Sequence, residues 1–344
     1  MSAWPTAPEP FRIEPIFSER LWGASSLAPL FPEMHDLKPP IGEAWLTGRD
    51  CRIANGQFTG LTLGQAWKEM TIPWRGSKFE DDLEFPLLLK FIFPTDKLSI
   101  QVHPDDAYAA AHEAAAGGRG KTEMWHVVSA EPGARLLVGL KRGATKERVL
   151  AAIADHTLED LFQSHEVHTG DTFFIPAGTP HTIGPGMIIC EVQQYSDLTY
   201  RIYDYDRRDA NRKPRELHIE KALDVMNCDP PAGGKVSTKR ISLAEKVVFE
   251  HLVSSPYFKT DRWEIGSTFE IRRLPGAAFK LWIFLCGAGN VSWAAASEQP
   301  DQPSDSSGSF QYLQGECWFM PPNVASFAIH SEARTVLLET QVPD

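Results

Sequence analysis

The segment Gly170-Asp171-Thr172-Phe173-Phe174-Ile175-Pro176-Ala177-Gly178-Thr179-Pro180-His181 constrains the fold more than any other stretch of the chain. It has the form G-x5-P-x-G-x2-H. The β-branched and aromatic run reads as a strand, and the Pro-Gly pair reads as a tight turn. The histidine just beyond the turn would stand at the mouth of a small β-barrel, where it can hold a metal. Its partners must then come from earlier strands, and the available donors there are Gln101, His103 and Glu123.

The frame occurs twice. Gly315-Glu316-Cys317-Trp318-Phe319-Met320-Pro321-Pro322-Asn323 repeats the glycine, the strand and the turn, with Ser326 where the first copy has His181. Two related barrels are expected, the second without a metal site. Pro230, Pro231, Gly233 and Gly234 mark the break, so the predicted units are 1–235 and 236–344. Short strand-like runs fill both: Leu87 to Phe93, Leu98 to Val102, Met124 to Val128, Arg135 to Val138 and Ile188 to Gln193 in the first, and eight more from Lys246 to Glu339 in the second. The fold class is therefore mainly β. One helical segment is predicted over about 145–164, where Val149, Leu150, Ile153, Leu158, Leu161 and Phe162 approximate an apolar stripe. A polar loop rich in Ser, Pro and Asp is expected over Ser297 to Ser309.

Alternation along strands sorts the donors. Ser99, Gln101 and His103 share one face of their segment, and Lys121, Glu123 and Trp125 share one face of theirs. His126 falls on the opposite face from Glu123. Gln101, His103, Glu123 and His181 form an N2O2 set with one formal negative charge. It suits Zn²⁺ or another divalent transition ion.

The net charge is −11 over 344 residues, and no basic run or nucleic-acid motif occurs. Nucleic acid is an unexpected partner. An anionic substrate would need a local positive pocket, because the overall field repels it. Apolar runs reach only about ten residues, too short to span a bilayer. The N-terminus shows no basic region followed by an apolar core. Five scattered cysteines without a C-x-x-C pair fit reduced thiols. These features predict a cytoplasmic protein, as a monomer or homodimer.

These blocks resemble the type I phosphomannose isomerases, in the short bacterial form. The resemblance is carried by Lys90 to Asp106, Gly120 to Trp125, Gly170 to His181, and Glu191 to Arg201, with its Ser-Asp-x-x-x-Arg signature. Glu19-Arg20-Leu21-Trp22-Gly23 and Ile41-Gly42-Glu43-Ala44-Trp45 also fit. Gly120 departs from longer relatives, which carry histidine there. The resemblance implies two cupin-type jelly-roll barrels, one zinc per chain, and interconversion of mannose 6-phosphate and fructose 6-phosphate.

That reaction moves a proton between C2 and C1 through a cis-enediol. It needs a base, stabilisation of a developing oxyanion and a phosphate anchor. Arg201 is too strong a base to lose its proton, so it is expected to stabilise charge or grip the sugar phosphate. Lys121 faces the cavity beside Glu123, where a metal cation and Arg201 would favour the neutral amine that a base requires. Asp197 is the alternative base or proton shuttle. Arg119, Lys121, Lys141 and Arg142 are the candidate phosphate anchors. Competing readings are a cupin isomerase of another sugar or sugar phosphate, a non-catalytic sugar-binding cupin, and an iron cupin dioxygenase.

Overall fold

The computed structural model describes residues 8–80, 83–208, 213–229, 233–272, 278–295 and 306–343. Two antiparallel β-sandwiches follow one another along the chain. In the first, a seven-stranded sheet runs in the order Gly234–Lys235, Thr172–Ile175, Glu123–Ala130, Met187–Gln194, Leu87–Ile92, Ile41–Trp45 and Ile16–Ala24. It faces a five-stranded sheet ordered Tyr200–Tyr203, Ile100–Val102, His181–Ile183, Arg135–Leu140 and Phe162–Glu166. The second sandwich repeats the plan with seven and four strands. The hydrogen-bonded ladders of facing sheets stay separate, so each jelly roll is an open sandwich among the described residues.

The second sandwich borrows a strand from the start of the chain. Phe11–Ile13 pairs antiparallel with Cys317–Phe319 at the edge of its seven-stranded sheet. The Phe11 and Phe319 rings stack at 4.6 Å, and Phe279 stacks on Phe319 at 4.8 Å. One apolar core therefore runs from Phe11, Phe58 and Trp67 to Phe258, Phe279 and Leu338. Pro230 to Ala232, at the expected break, lie outside the described residues.

Both copies of the repeated frame fold as strand, turn and strand. Thr172–Ile175 leads to His181–Ile183, and Cys317–Met320 leads to Val324–Ser331. Gly170 and Gly315 enter their strands with φ of +93° and +85°, a conformation open to glycine without a Cβ penalty. Ser326 lies in the second strand of its copy, opposite Ala294.

The predicted helix is shorter than its apolar stripe. Lys146–Ala154 is helical, with Thr145 as N-cap accepting from Arg148 N–H at 3.3 Å. His156 then takes a positive φ of 56°, which ends the run. Leu158–Leu161 forms a 3₁₀ turn, and Phe162–Glu166 is a strand, with Phe162 opposite Leu140. Leu158 and Phe162 are buried as expected, but edge pairing overrides helical periodicity. Of the loop expected over Ser297 to Ser309, residues 297–305 lie outside the described residues, and Ser307–Leu313 is a strand. All five cysteines are free thiols. No helix among the described residues is long and apolar enough to cross a membrane.

Candidate metal centre and sugar-phosphate site

The two ligand segments meet because a turn docks on a strand end. Gly178, at φ +81°, donates its N–H to the carbonyl of His103 at 2.8 Å. That bond ties the Pro176-Ala177-Gly178 turn to the end of Ile100–Val102. His181 then pairs directly with Gln101 across the sheet. Glu123 enters from the facing sheet as the first residue of its strand.

His103, Glu123 and His181 are all buried, and their ligand atoms lie within 4.8 Å of one another. His103 Nε2 is 3.3 Å from Glu123 Oε1, and His181 Nε2 is 3.7 Å from Glu123 Oε2. Each imidazole donates from Nδ1 to a backbone carbonyl, His103 to Leu198 at 2.7 Å and His181 to Thr179 at 2.8 Å. This fixes the tautomer and leaves both Nε2 lone pairs aimed at the carboxylate. Burial pushes the His103 pKa down to about 3, helped by Lys121, and burial also lowers that of His181. Both rings are therefore neutral ligands. Burial would raise the pKa of Glu123, but the Lys121 ammonium outweighs it and holds the group well below its ordinary value. Both Glu123 oxygens are buried; Oε1 contacts the Lys121 ammonium, and Oε2 has no hydrogen-bond donor. Two neutral imidazoles and a carboxylate with a free oxygen fit a divalent cation. Among the described residues no other three such side chains converge.

Gln101 lies beside the group, with Nε2 3.3 Å from His181 Nε2. Its amide oxygen and nitrogen exchange by a half-turn of the terminal torsion, so Oε1 can take the same position.

A cavity of about 360 Å³ opens from this group between the sheets. Lys121 lines it next to Glu123, with its ammonium 3.2 Å from His103 Nε2 and 3.6 Å from Glu191 Oε1. Arg201 lines the opposite wall and donates to Glu216 O at 2.8 Å, while its buried Nε has no partner. Burial and Arg215 lower the Arg201 pKa. Asp197 sits exposed at the mouth. Ser99, Gln101, Glu123 and Trp125 face the cavity as strand alternation predicted, and His126 turns away to pair with Thr172 Oγ1 at 3.0 Å.

Other predicted anchors lie elsewhere. Arg119 lines a neighbouring chamber of about 620 Å³ that shares only Asp197 with the metal cavity. Lys141 bonds Asp160 O at 2.9 Å, and neither it nor Arg142 lines the cavity. Arg20, Lys90 and Arg215 supply positive charge instead. With Lys121 and Arg201 they set five cations against Glu43, Glu123, Glu191 and Asp197. A locally positive site thus forms in a chain of net charge −11, and a bound cation would add to it.

Sequence reasoning missed Lys90 and Glu191. Both are buried and lie directly opposite each other on adjacent strands. Burial and the nearby Glu123 charge raise the pKa of Glu191. Burial disfavours the Lys90 ammonium, but Glu191 and Glu43 reverse that and raise its pKa. The signal was available: each is the lone charge of a strand buried along its whole length, Leu87–Ile92 and Met187–Gln194.

A jelly-roll sandwich with a buried His-Glu-His group, a lysine beside it and an arginine across the cavity defines a metal-site enzyme of the cupin type. Residues 11–125 match the phosphomannose isomerase type I catalytic domain. The chain is 35% identical over 289 residues to mannose-6-phosphate isomerase from Streptococcus mutans, covering 83% of this chain and 87% of that protein. It is 34% identical to mannose-6-phosphate isomerase ManA from Bacillus subtilis, covering 77% and 82%. The crystal structure of the mannose 6-phosphate isomerase from Bacillus subtilis superposes with a TM-score of 0.82 at 27% identity, covering 96% of this chain and 99% of that one. The chain belongs to the type I phosphomannose isomerase family.

Proposed function

We propose that this chain interconverts mannose 6-phosphate and fructose 6-phosphate. The observation that carries the reading is the placement of the Lys121 ammonium, 3.2 Å from His103 Nε2 and in contact with Glu123, inside the cavity that Arg201 closes. Gln101, His103, Glu123 and His181 would hold the metal, with Zn²⁺ the best match to the donors. When bound, the ion supplies Lewis acidity toward the sugar oxygens.

As the neutral amine, its ammonium proton having passed to solvent through Asp197, Lys121 takes the proton from C2 of the open-chain aldose, and the C2–H electron pair becomes the C1–C2 double bond. Charge passes to O1, where the Arg201 guanidinium stabilises it. Returning the proton to C1, with O1 protonated and the O2 proton released, gives the ketose. Lys121 is favoured over Asp197 because it is buried against the ligands, whereas Asp197 is exposed at the mouth. Asp197 then relays protons to solvent. Arg20 and Arg215 give the phosphate its positive surroundings.

The division near residue 235 remains our reading of the architecture, supported by the repeated strand–turn–strand frame and by Ser326 in place of His181. The free thiols favour a reducing compartment, the cytoplasm. The test is a coupled assay of the purified protein with mannose 6-phosphate before and after chelation, with metal analysis on the same sample. Turnover that is lost on chelation and restored by zinc supports the proposal. No turnover, or full turnover after chelation, overturns it.

A further inference from the structure

The segment carrying Lys121 is held by main-chain hydrogen bonds at three successive residues. Lys121 N–H donates to Pro104 O at 3.0 Å. Gly120 N–H donates to Asp106 Oδ1 at 2.8 Å, and Thr122 N–H donates to Gln194 Oε1 at 2.8 Å. Gln194 Nε2 also donates to Asp106 Oδ1, at 3.0 Å, so the two side chains form one bracket around Lys121.

Asp106 has little room to be replaced by another arrangement. Gly120 packs so closely that a Cβ there would lie 2.5 Å from Asp106 N. Asp106 begins the helix Asp106–His112, capped by Asp105, whose side chain accepts from Tyr108 N–H. On the other side of the bracket, Gly117 and Gly118 have φ of +97° and +61° and offer no stiffness of their own.

We infer that Asp106 and Gln194 are positioning residues for Lys121. The inference rests on the proton-transfer role proposed for Lys121. Neither side chain lines the metal cavity, so both act through the loop alone. Loosening the bracket frees the Gly120 and Thr122 amides and lets the ammonium drift, and a displacement of about 1 Å at a reacting group costs up to about a hundredfold in rate.

The experiment compares Asp106→Ala, Asp106→Asn, Gln194→Ala and Lys121→Ala as full-length metal-loaded proteins. Kinetics on mannose 6-phosphate, metal content and amide exchange over residues 117–122 are read together. Asp106→Ala is expected to lower kcat by about tenfold or more, with KM within about threefold, metal content unchanged and faster exchange. Asn retains an oxygen acceptor for Gly120 and Gln194, so Asp106→Asn is expected to restore kcat to within about threefold of wild type. Should Asp106→Ala not fold, Gln194→Ala removes one arm alone and is expected to show the same split. Full kcat in the folded Ala variants with an inactive Lys121→Ala protein overturns the bracket alone, and so does an Asp106→Asn protein as impaired as Asp106→Ala. Full turnover in Lys121→Ala overturns the lysine reading, and the bracket's catalytic role falls with it.

Discussion

His181 lies directly across from Gln101 in the five-stranded sheet, and Arg201 lies across from Gln101 on its other side. Three groups widely separated in sequence therefore form one transverse row. The row faces the cavity because register, once set, sends every second residue to the same side. The residues proposed for metal binding and for charge stabilisation thus share a single ladder.

Glu123→Ala and His181→Ala are expected to abolish both stoichiometric metal and turnover while the fold survives. Elemental analysis and circular dichroism on the same preparation check this. A metal-free Glu123→Ala protein with full activity would refute the ligand assignment.

Arg201→Ala separates the two functions in the row. Metal content is expected to stay at the wild-type level, while kcat falls about a hundredfold or more, the size typical of losing an oxyanion-stabilising donor. Wild-type kcat in this variant would remove Arg201 from the chemistry.

Lys90 is buried opposite Glu191, with Glu43 also close enough to bias its protonation. Lys90→Met removes one buried counter-charge of those carboxylates, while Lys121 stays 3.6 Å from Glu191 and Arg20 2.6 Å from Glu43. Breaking a contacting buried pair costs about 3–5 kcal/mol, and the remaining cations put the loss here at about 1–3 kcal/mol. Denaturant unfolding of the single variant should show a loss in that range, and adding Glu191→Gln should recover part of it. Equal stability of the single variant and wild type would show that the pair is electrostatically idle.

His126 predicts an acid-side stability slope. Burial, with Arg262 nearby, lowers its pKa from the ordinary 6.5 to about 3. Between those values the unfolded chain carries a proton that the folded protein refuses. Stability therefore falls as pH drops from about 6.5 toward 3, by about 1.4 kcal/mol per pH unit for this group. Unfolding at pH 7 and pH 5 should show a smaller difference in His126→Asn than in wild type. An identical difference would assign the slope to other groups.

Much of this site was legible because period-two alternation is a local property. It placed Ser99 with Gln101, Lys121 with Glu123 and Trp125, and His126 on the far side. The repeated glycine–strand–turn frame was equally local. Register was not. Nothing within Leu87–Ile92 says that Lys90 will meet Glu191 rather than an apolar neighbour, and nothing near Phe162 says that Leu140 will draw it into a sheet. Arg119 illustrates the same limit: two residues from Lys121, it lines a different chamber because the chain bends at Gly120 against the start of a helix.

The pairing of Phe11–Ile13 with Cys317–Phe319 imposes an order on biosynthesis. Phe11–Ile13 cannot complete this ladder until Cys317–Phe319 has been made. Until then the Phe11 ring lacks the Phe319 ring that stacks on it, and exposed apolar surface of this kind favours aggregation. The first sandwich can close earlier, yet the seam between the halves forms only once that later strand has emerged. The two segments therefore act as a clasp, and removing Phe11–Ile13 leaves Cys317–Phe319 as an unpaired sheet edge.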